Sequence, residues 1–228
     1  MIQDSWHTVN IVIHVVVGAT ALLLGLYQLF TAKGGRRHTV VGRWFVRATW
    51  VVVGTAATGL VLFRFGAFLA VLTLLVSYWV YSGVRAVKIR DIGPGLQDGF
   101  ASIAALLAVA AFFHYLPRIR LPWAPAVIYP TLATLAMVAL YDLSRFTFPL
   151  RVYQWLWRYE HIVKILGAHG AIVAAFCGTV LAAFQPMSQV APSVIWTALQ
   201  VGFVVHAARR ARRLPVAVAP SSAGWRKS

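Results

Sequence analysis

Charge and cysteine are what this sequence has least of. Asp, Glu, Lys and Arg together make up 11% of 228 residues, and only 5 of them are acidic. An ordinary soluble domain carries about 25% charged residues. A chain this poor in charge has too little polar surface to face water on all sides, so most of its surface must meet lipid or other helices. A single cysteine, Cys177, excludes a disulfide within the chain. Also missing are a glycine-rich phosphate loop, a Ser/His/Asp set, a Cys/His zinc spacing and the His/Glu motif of a membrane metalloprotease. The polar links are short, which leaves no room for a soluble domain. Any site must therefore lie within a helical bundle or at its rim.

What is present is apolar length. Seven stretches, 8–31, 40–63, 66–87, 98–116, 125–144, 159–184 and 192–208, read as spans, since about 20 apolar residues cross a bilayer as a helix. Gly34-Gly35, Gly93-Pro94-Gly95, Pro117, Pro122, Pro125, Pro149, Pro186 and Pro192 punctuate them. The fold class expected is an all-α bundle of seven transmembrane helices. It forms one membrane domain over 1–208, followed by a basic, disordered tail over 209–228. Residues 1–7 lack the positive n-region of a cleaved signal peptide, and the first apolar stretch is too long for one.

The net charge is +16. In a soluble protein that would point to nucleic acid; here its distribution points to topology, and no nucleic-acid partner is expected. Of 21 Lys and Arg residues, all but Arg64, Arg118 and Arg120 fall on one side of the spans. The positive-inside rule puts that side in the cytoplasm, the N-terminus outside and the C-terminus inside, as for a protein of a bacterial cytoplasmic membrane. The basic residues would meet anionic lipid headgroups there. Trp6 and Trp123 mark the outer interface, and Trp44, Tyr153, Trp155 and Trp157 the inner one.

Ionisable groups inside a bilayer are costly and turn inward. His14 and His114 lie on the outer side, His38, His161 and His206 on the inner side, and His169 near the midplane. In span one His14 shares a face with Gly18, Ala21, Gly25 and Gln28, a small-residue stripe that faces neighbouring helices. Span three ends with Tyr78, Tyr81, Ser82 and Arg85 on one face. Two imidazoles at equal depth on different helices are the axial pair of a b-type haem. His38 with His161 or His206 is the inner candidate pair, and His14 with His114 the outer one. A second candidate is an inner-side polar pocket of Arg43, Arg47, Asp142, Glu160 and Lys164, suited to a quinone, an anionic headgroup or a proton relay. Within it, Glu160 and Lys164 stand one turn apart on span six. The function class expected is thus a membrane protein with an interior histidine site, serving haem- or quinone-linked electron transfer with a redox partner. The rival is a non-catalytic transporter, lipid-binding protein or accessory subunit whose histidines only pack. A retinal protein is excluded by the lack of a lysine in span seven.

The run from His14 to Gly18, then Gln28-Leu29, Lys33-Gly34, His38 and Gly42-Arg43, resembles the N-terminal signature of a bacterial polytopic membrane family of unknown function. Ser77-Tyr78, the run from Ser82 to Ala86, the run from Asp142 to Arg145, the run from Trp157 to His161, Leu166-Gly167-Ala168 and Ala175-Phe176 are similar to its later segments. Thr39 stands where the family pattern has Arg, and His169 where it has an aromatic residue. The resemblance implies seven spans and singles out His14, His38 and His161. It implies no activity. A more distant likeness to diheme b-type cytochromes rests on the histidine-bearing helices alone.

Overall fold

A computed structural model of the chain describes residues 2–63, 65–118 and 125–213. Among them there are seven long helices: α1 (Ile2–Phe30), α2 (Arg36–Thr58, extended by a π-helical turn Gly59–Phe63), α3 (Ala67–Lys88), α4 (Leu96–Tyr115), α5 (Pro125–Ser144), α6 (Leu150–Val180) and α7 (Met187–Arg213). All seven are long and apolar enough to cross a membrane. The fold is that of a multi-pass, all-helical membrane protein. In lipid every backbone N–H and C=O must find its partner inside the segment, and a helix does this without a neighbour.

Two glycines make the tight links. Gly34, between α1 and α2, has φ +83°, and Gly93, after α3, has φ +76°, a region that a side chain disfavours. The Gly93 N–H donates to Ile89 O at 2.8 Å and so ends α3. Pro192, expected to bracket a span, lies inside α7 instead, and Pro130 lies inside α5. Each is the sixth residue of its helix, so the missing N–H costs a single bond to the second residue. For the same reason α7 begins at Met187 rather than at 192 and runs on through Arg213. Helix α6 begins at Leu150, well before the apolar stretch, because Pro149 starts a helix whose first turns are aromatic and basic. Arg64, Arg120, Trp123 and the segment 214–228 lie outside the described residues.

Helix α3 is the central element and buries two faces. Ala67, Val71, Leu75 and Tyr78 pack with Ala105 and Val109 of α4 and Ile128, Leu132, Leu135 and Ala139 of α5. Val76 and Val80 pack with Ala168 and Ile172 of α6, with Leu22 of α1 and Val46 and Val53 of α2 alongside. Small residues let α6 and α7 meet closely. A Cβ on Gly170 would stand 2.6 Å from the Trp196 side chain, so nothing larger than glycine fits. Large apolar side chains that point outward, such as Val12, Val16, Leu23, Val194, Ile195 and Val201, are those of a lipid-facing surface.

Candidate functional site

His38 opens α2 and His161 lies in the first half of α6. Their rings stand with centroids 6.5 Å apart and planes crossed at 83°. Each ring is held by Nδ1. His161 Nδ1–H donates to Gly83 O on α3 at 2.9 Å. His38 Nδ1–H donates to Gln28 Oε1 on α1 at 3.0 Å, and the same amide returns a bond from Nε2 to His38 O at 2.6 Å. An oxygen acceptor settles the tautomer, so in both neutral imidazoles the proton is on Nδ1 and the lone pair on Nε2. Ligating histidines are held in this way, with the second ring nitrogen anchored on an oxygen. Helices α2 and α6 are not among the pairs whose backbones run close together: α2 packs on α1 and α3, and α6 on α3, α7 and α1. The two rings meet between α2 and α6, which also touch where the Phe45 ring stands edge-on to His169, 5.8 Å between centroids.

The other histidines differ. His14 Nδ1 lies 2.9 Å from Thr55 Oγ1. That hydroxyl donates its own proton to Val51 O or Val52 O, at 2.9 and 3.0 Å, so His14 is the donor and keeps its Nε2 lone pair. His169 has both nitrogens engaged. Nε2–H donates to Leu22 O at 3.1 Å, and Nδ1 accepts from Trp196 Nε1 at 3.1 Å. With no lone pair left, it joins α6 to α1 and α7. His114 and His206 are exposed, on the outer surfaces of α4 and α7. The histidines expected to act together as an inner pair are brought together in His38 and His161.

A second polar centre lies between α3, α5 and α6. Asp142 (2% exposed) and Lys164 (2% exposed) form an ion pair at 2.5 Å. Arg145 Nη1 donates to Glu160 Oε2 at 2.8 Å, and its Nε lies 3.2 Å from Asp142 Oδ1. Tyr141 OH donates to Glu160 Oε1 at 2.6 Å. Tyr78 OH (3.0 Å) and Ser82 Oγ donate to Asp142 Oδ2. Two acids face two bases, so the quartet is neutral as a whole, as burial in a bilayer demands. One helix turn away, Arg85 clamps Asp98 with two bonds of 2.7 Å, and Tyr81 adds a third at 3.3 Å. The face Tyr78, Tyr81, Ser82, Arg85 of α3 is therefore the donor strip for both acids.

Of the five residues expected to form the polar pocket, Asp142, Glu160 and Lys164 are together. Arg43 and Arg47 are exposed on α2, and the Arg47 guanidinium lies over the Trp44 ring, 5.0 Å from its centroid. Arg145 occupies the place expected for them. The sequence carries a signal for it, three residues after Asp142, but also a competing reading as an interfacial orientation charge. Gln28 is the other functional residue that the sequence reading leaves without a role. In the link between α1 and α2, Lys33 Nζ donates to Gln28 O, Leu29 O and Thr31 O at 2.5, 3.1 and 2.8 Å. Its partial burial lowers its pKa from the ordinary lysine value. No protein-family model, no curated protein and no solved structure matches the chain.

Proposed function

We propose that this membrane protein binds a b-type haem between His38 and His161 and passes electrons within the bilayer. The observation that carries the reading is a pair of Nδ1-tethered imidazoles from two helices, 6.5 Å apart between ring centroids and each with its Nε2 lone pair left over. His38 from α2 and His161 from α6 would be the two protein ligands that a b-type haem needs. The donor set favours haem over a bare ion. Among the described residues no three His, Cys, Asp or Glu side chains cluster as a metal-binding group. A bare zinc ion takes four ligands, whereas a haem would ask the protein for no more than the two imidazoles of His38 and His161. When bound, haem supplies one-electron chemistry.

The chain's own part is to hold both imidazoles in one tautomer and to offer neutral ligands. The surplus of Lys and Arg at the His38 end supports placing this site towards the cytoplasmic leaflet of a bacterial cytoplasmic membrane, among anionic headgroups. A quinol or a docked redox protein is the electron partner that such a location serves.

The test is the absorption spectrum of the full-length protein, purified in detergent after expression with haem supplied, oxidised and then dithionite-reduced. A Soret band with sharp reduced α and β bands, lost in His38→Ala and in His161→Ala, is the expected result. A featureless visible spectrum from intact protein overturns the reading. It would favour an accessory or transport bundle, for which His169, spent wholly on joining helices, is the precedent within the fold.

A further inference from the structure

The two tethers of the histidine pair are unlike. His161 is held by the main chain of α3, through Gly83 O, whereas His38 is held by a side chain, Gln28 of α1. The Gln28 amide closes two bonds on one residue, accepting from His38 Nδ1–H and donating to His38 O. The second bond fixes the amide's orientation, because only its nitrogen can face a carbonyl. Space is left for it on α2: a Cβ on Gly42 would stand 3.0 Å from Gln28 Nε2. Below it, Lys33 ties up the Gln28, Leu29 and Thr31 carbonyls at the end of α1 and so holds the turn that presents the amide.

We propose that Gln28 is the positioning residue of the His38–His161 site, fixing both the tautomer and the rotation of the His38 ring so that Nε2 is bare and turned to the site. The inference rests on the haem reading only for the identity of the occupant. An untethered neutral imidazole populates both tautomers, and the one protonated at Nε2 cannot ligate through that atom. Removing an anchoring partner of this kind typically costs 10–100-fold in metal affinity. Gln28 touches no ligand itself.

The experiment is nitrogen NMR of the full-length, ¹⁵N-histidine-labelled apoprotein in detergent, above the imidazole titration range. His38 and His161 resonances are assigned by their loss in the alanine variants. Haemin titration is run in parallel on the same samples. In the wild type both residues are expected as Nδ1–H tautomers. In Gln28→Leu, His38 becomes a mixture of tautomers and haemin affinity falls 10–100-fold. His161, tethered by the backbone, stays as it was, which separates loss of the tether from loss of the fold. Gln28→Glu keeps an acceptor for Nδ1–H, so the tautomer and haemin binding survive. Its carboxylate makes the ring a stronger donor, so the reduction potential of the loaded protein moves down.

An unchanged His38 tautomer in Gln28→Leu overturns the proposal. So does a mixed tautomer in Gln28→Glu, the variant that decides if Gln28→Leu does not fold. If the wild type takes up no haemin while the tautomers move as described, the haem reading falls and the positioning role of Gln28 stands.

Discussion

Lys164 Nζ lies 2.5 Å from Asp142 Oδ1, joining α6 to α5 at a level where neither side chain reaches water. The pair matters less for the attraction it supplies than for the charge that either partner would leave behind alone. Breaking a buried pair by removing one partner costs about 3–5 kcal/mol, whereas replacing both by apolar groups is often nearly neutral. Lys164→Met is therefore expected to lower stability by about that amount. The double variant Lys164→Met/Asp142→Leu should recover most of it, although Tyr78 and Ser82 lose their acceptor. Thermal unfolding in detergent, arranged as a double-mutant cycle, reads both. A double variant as unstable as the sum of the two single ones would show that the pair is not the coupled unit described.

The histidines separate by what their nitrogens do. His114 and His206 are exposed, and His169 has no lone pair to give. Alanine at His14, His114 or His206 is expected to leave the reduced haem spectrum of the wild type in place. His169→Ala should cost stability without abolishing the spectrum. It deprives Trp196 Nε1 of its partner, at about 1–3 kcal/mol for a buried group left unpaired. A spectrum lost in His14→Ala, with His38 and His161 intact, would move the site to the other end of α1.

Close approach between α1 and α6 makes Gly25 a sharp test of the packing. A Cβ there would come within 2.2 Å of the His169 ring, which is itself pinned between Leu22 and Trp196. Gly18 on the same helix offers a control, because its Cβ would meet Val52 at an ordinary 3.9 Å. Gly25→Ala is expected to destabilise by about 1–3 kcal/mol, the usual cost of overpacking. Gly18→Ala should be neutral or slightly stabilising through its better helix propensity. Equal melting temperatures for the two variants would contradict the contact.

Much of this was legible beforehand in the residues. Seven spans follow from apolar length, and the ends at Gly34 and Gly93 from turn chemistry. The stripe of His14, Gly18, Gly25 and Gln28 does face neighbouring helices: His14 meets Thr55, a Cβ on Gly25 would strike His169, and Gln28 holds His38. The donor strip of α3 was visible as a face, but its acceptors were not. Helical spacing reports which residues of one helix share a side and says nothing of which helix lies opposite. That is why the sequence groups Arg43 and Arg47, which point outward, with Asp142, Glu160 and Lys164, and leaves out Arg145. Arg145 was the harder case. A basic residue at the end of a span reads equally well as an interfacial charge or as a buried partner, and its 1% exposure decides it. Pro192 reads as the start of α7, but as the sixth residue of the helix it costs too little to end it, and the helix begins at Met187.

Gly83 links the packing of the core to the candidate site. It supplies the carbonyl that holds His161, and it does so where α3 packs directly on α6. A Cβ on Gly83 would stand 2.9 Å from Ile165 and 3.1 Å from Lys164 Cβ. The Ile165 contact is made by the end of its side chain, which must turn aside, whereas Lys164 Cβ is a stem, so α3 and α6 must part by some tenths of an ångström to admit a methyl group. Two consequences should appear together in Gly83→Ala. The melting temperature falls by the cost of overpacking, about 1–3 kcal/mol. The His161 Nδ1–H bond lengthens, which weakens haemin binding and broadens the His161 nitrogen signal while leaving His38, tethered by Gln28, unchanged. A destabilised variant whose His161 signal and haemin affinity match the wild type would separate the packing of α3 on α6 from the site, and the carbonyl of Gly83 would then be a neighbour of His161 rather than its anchor.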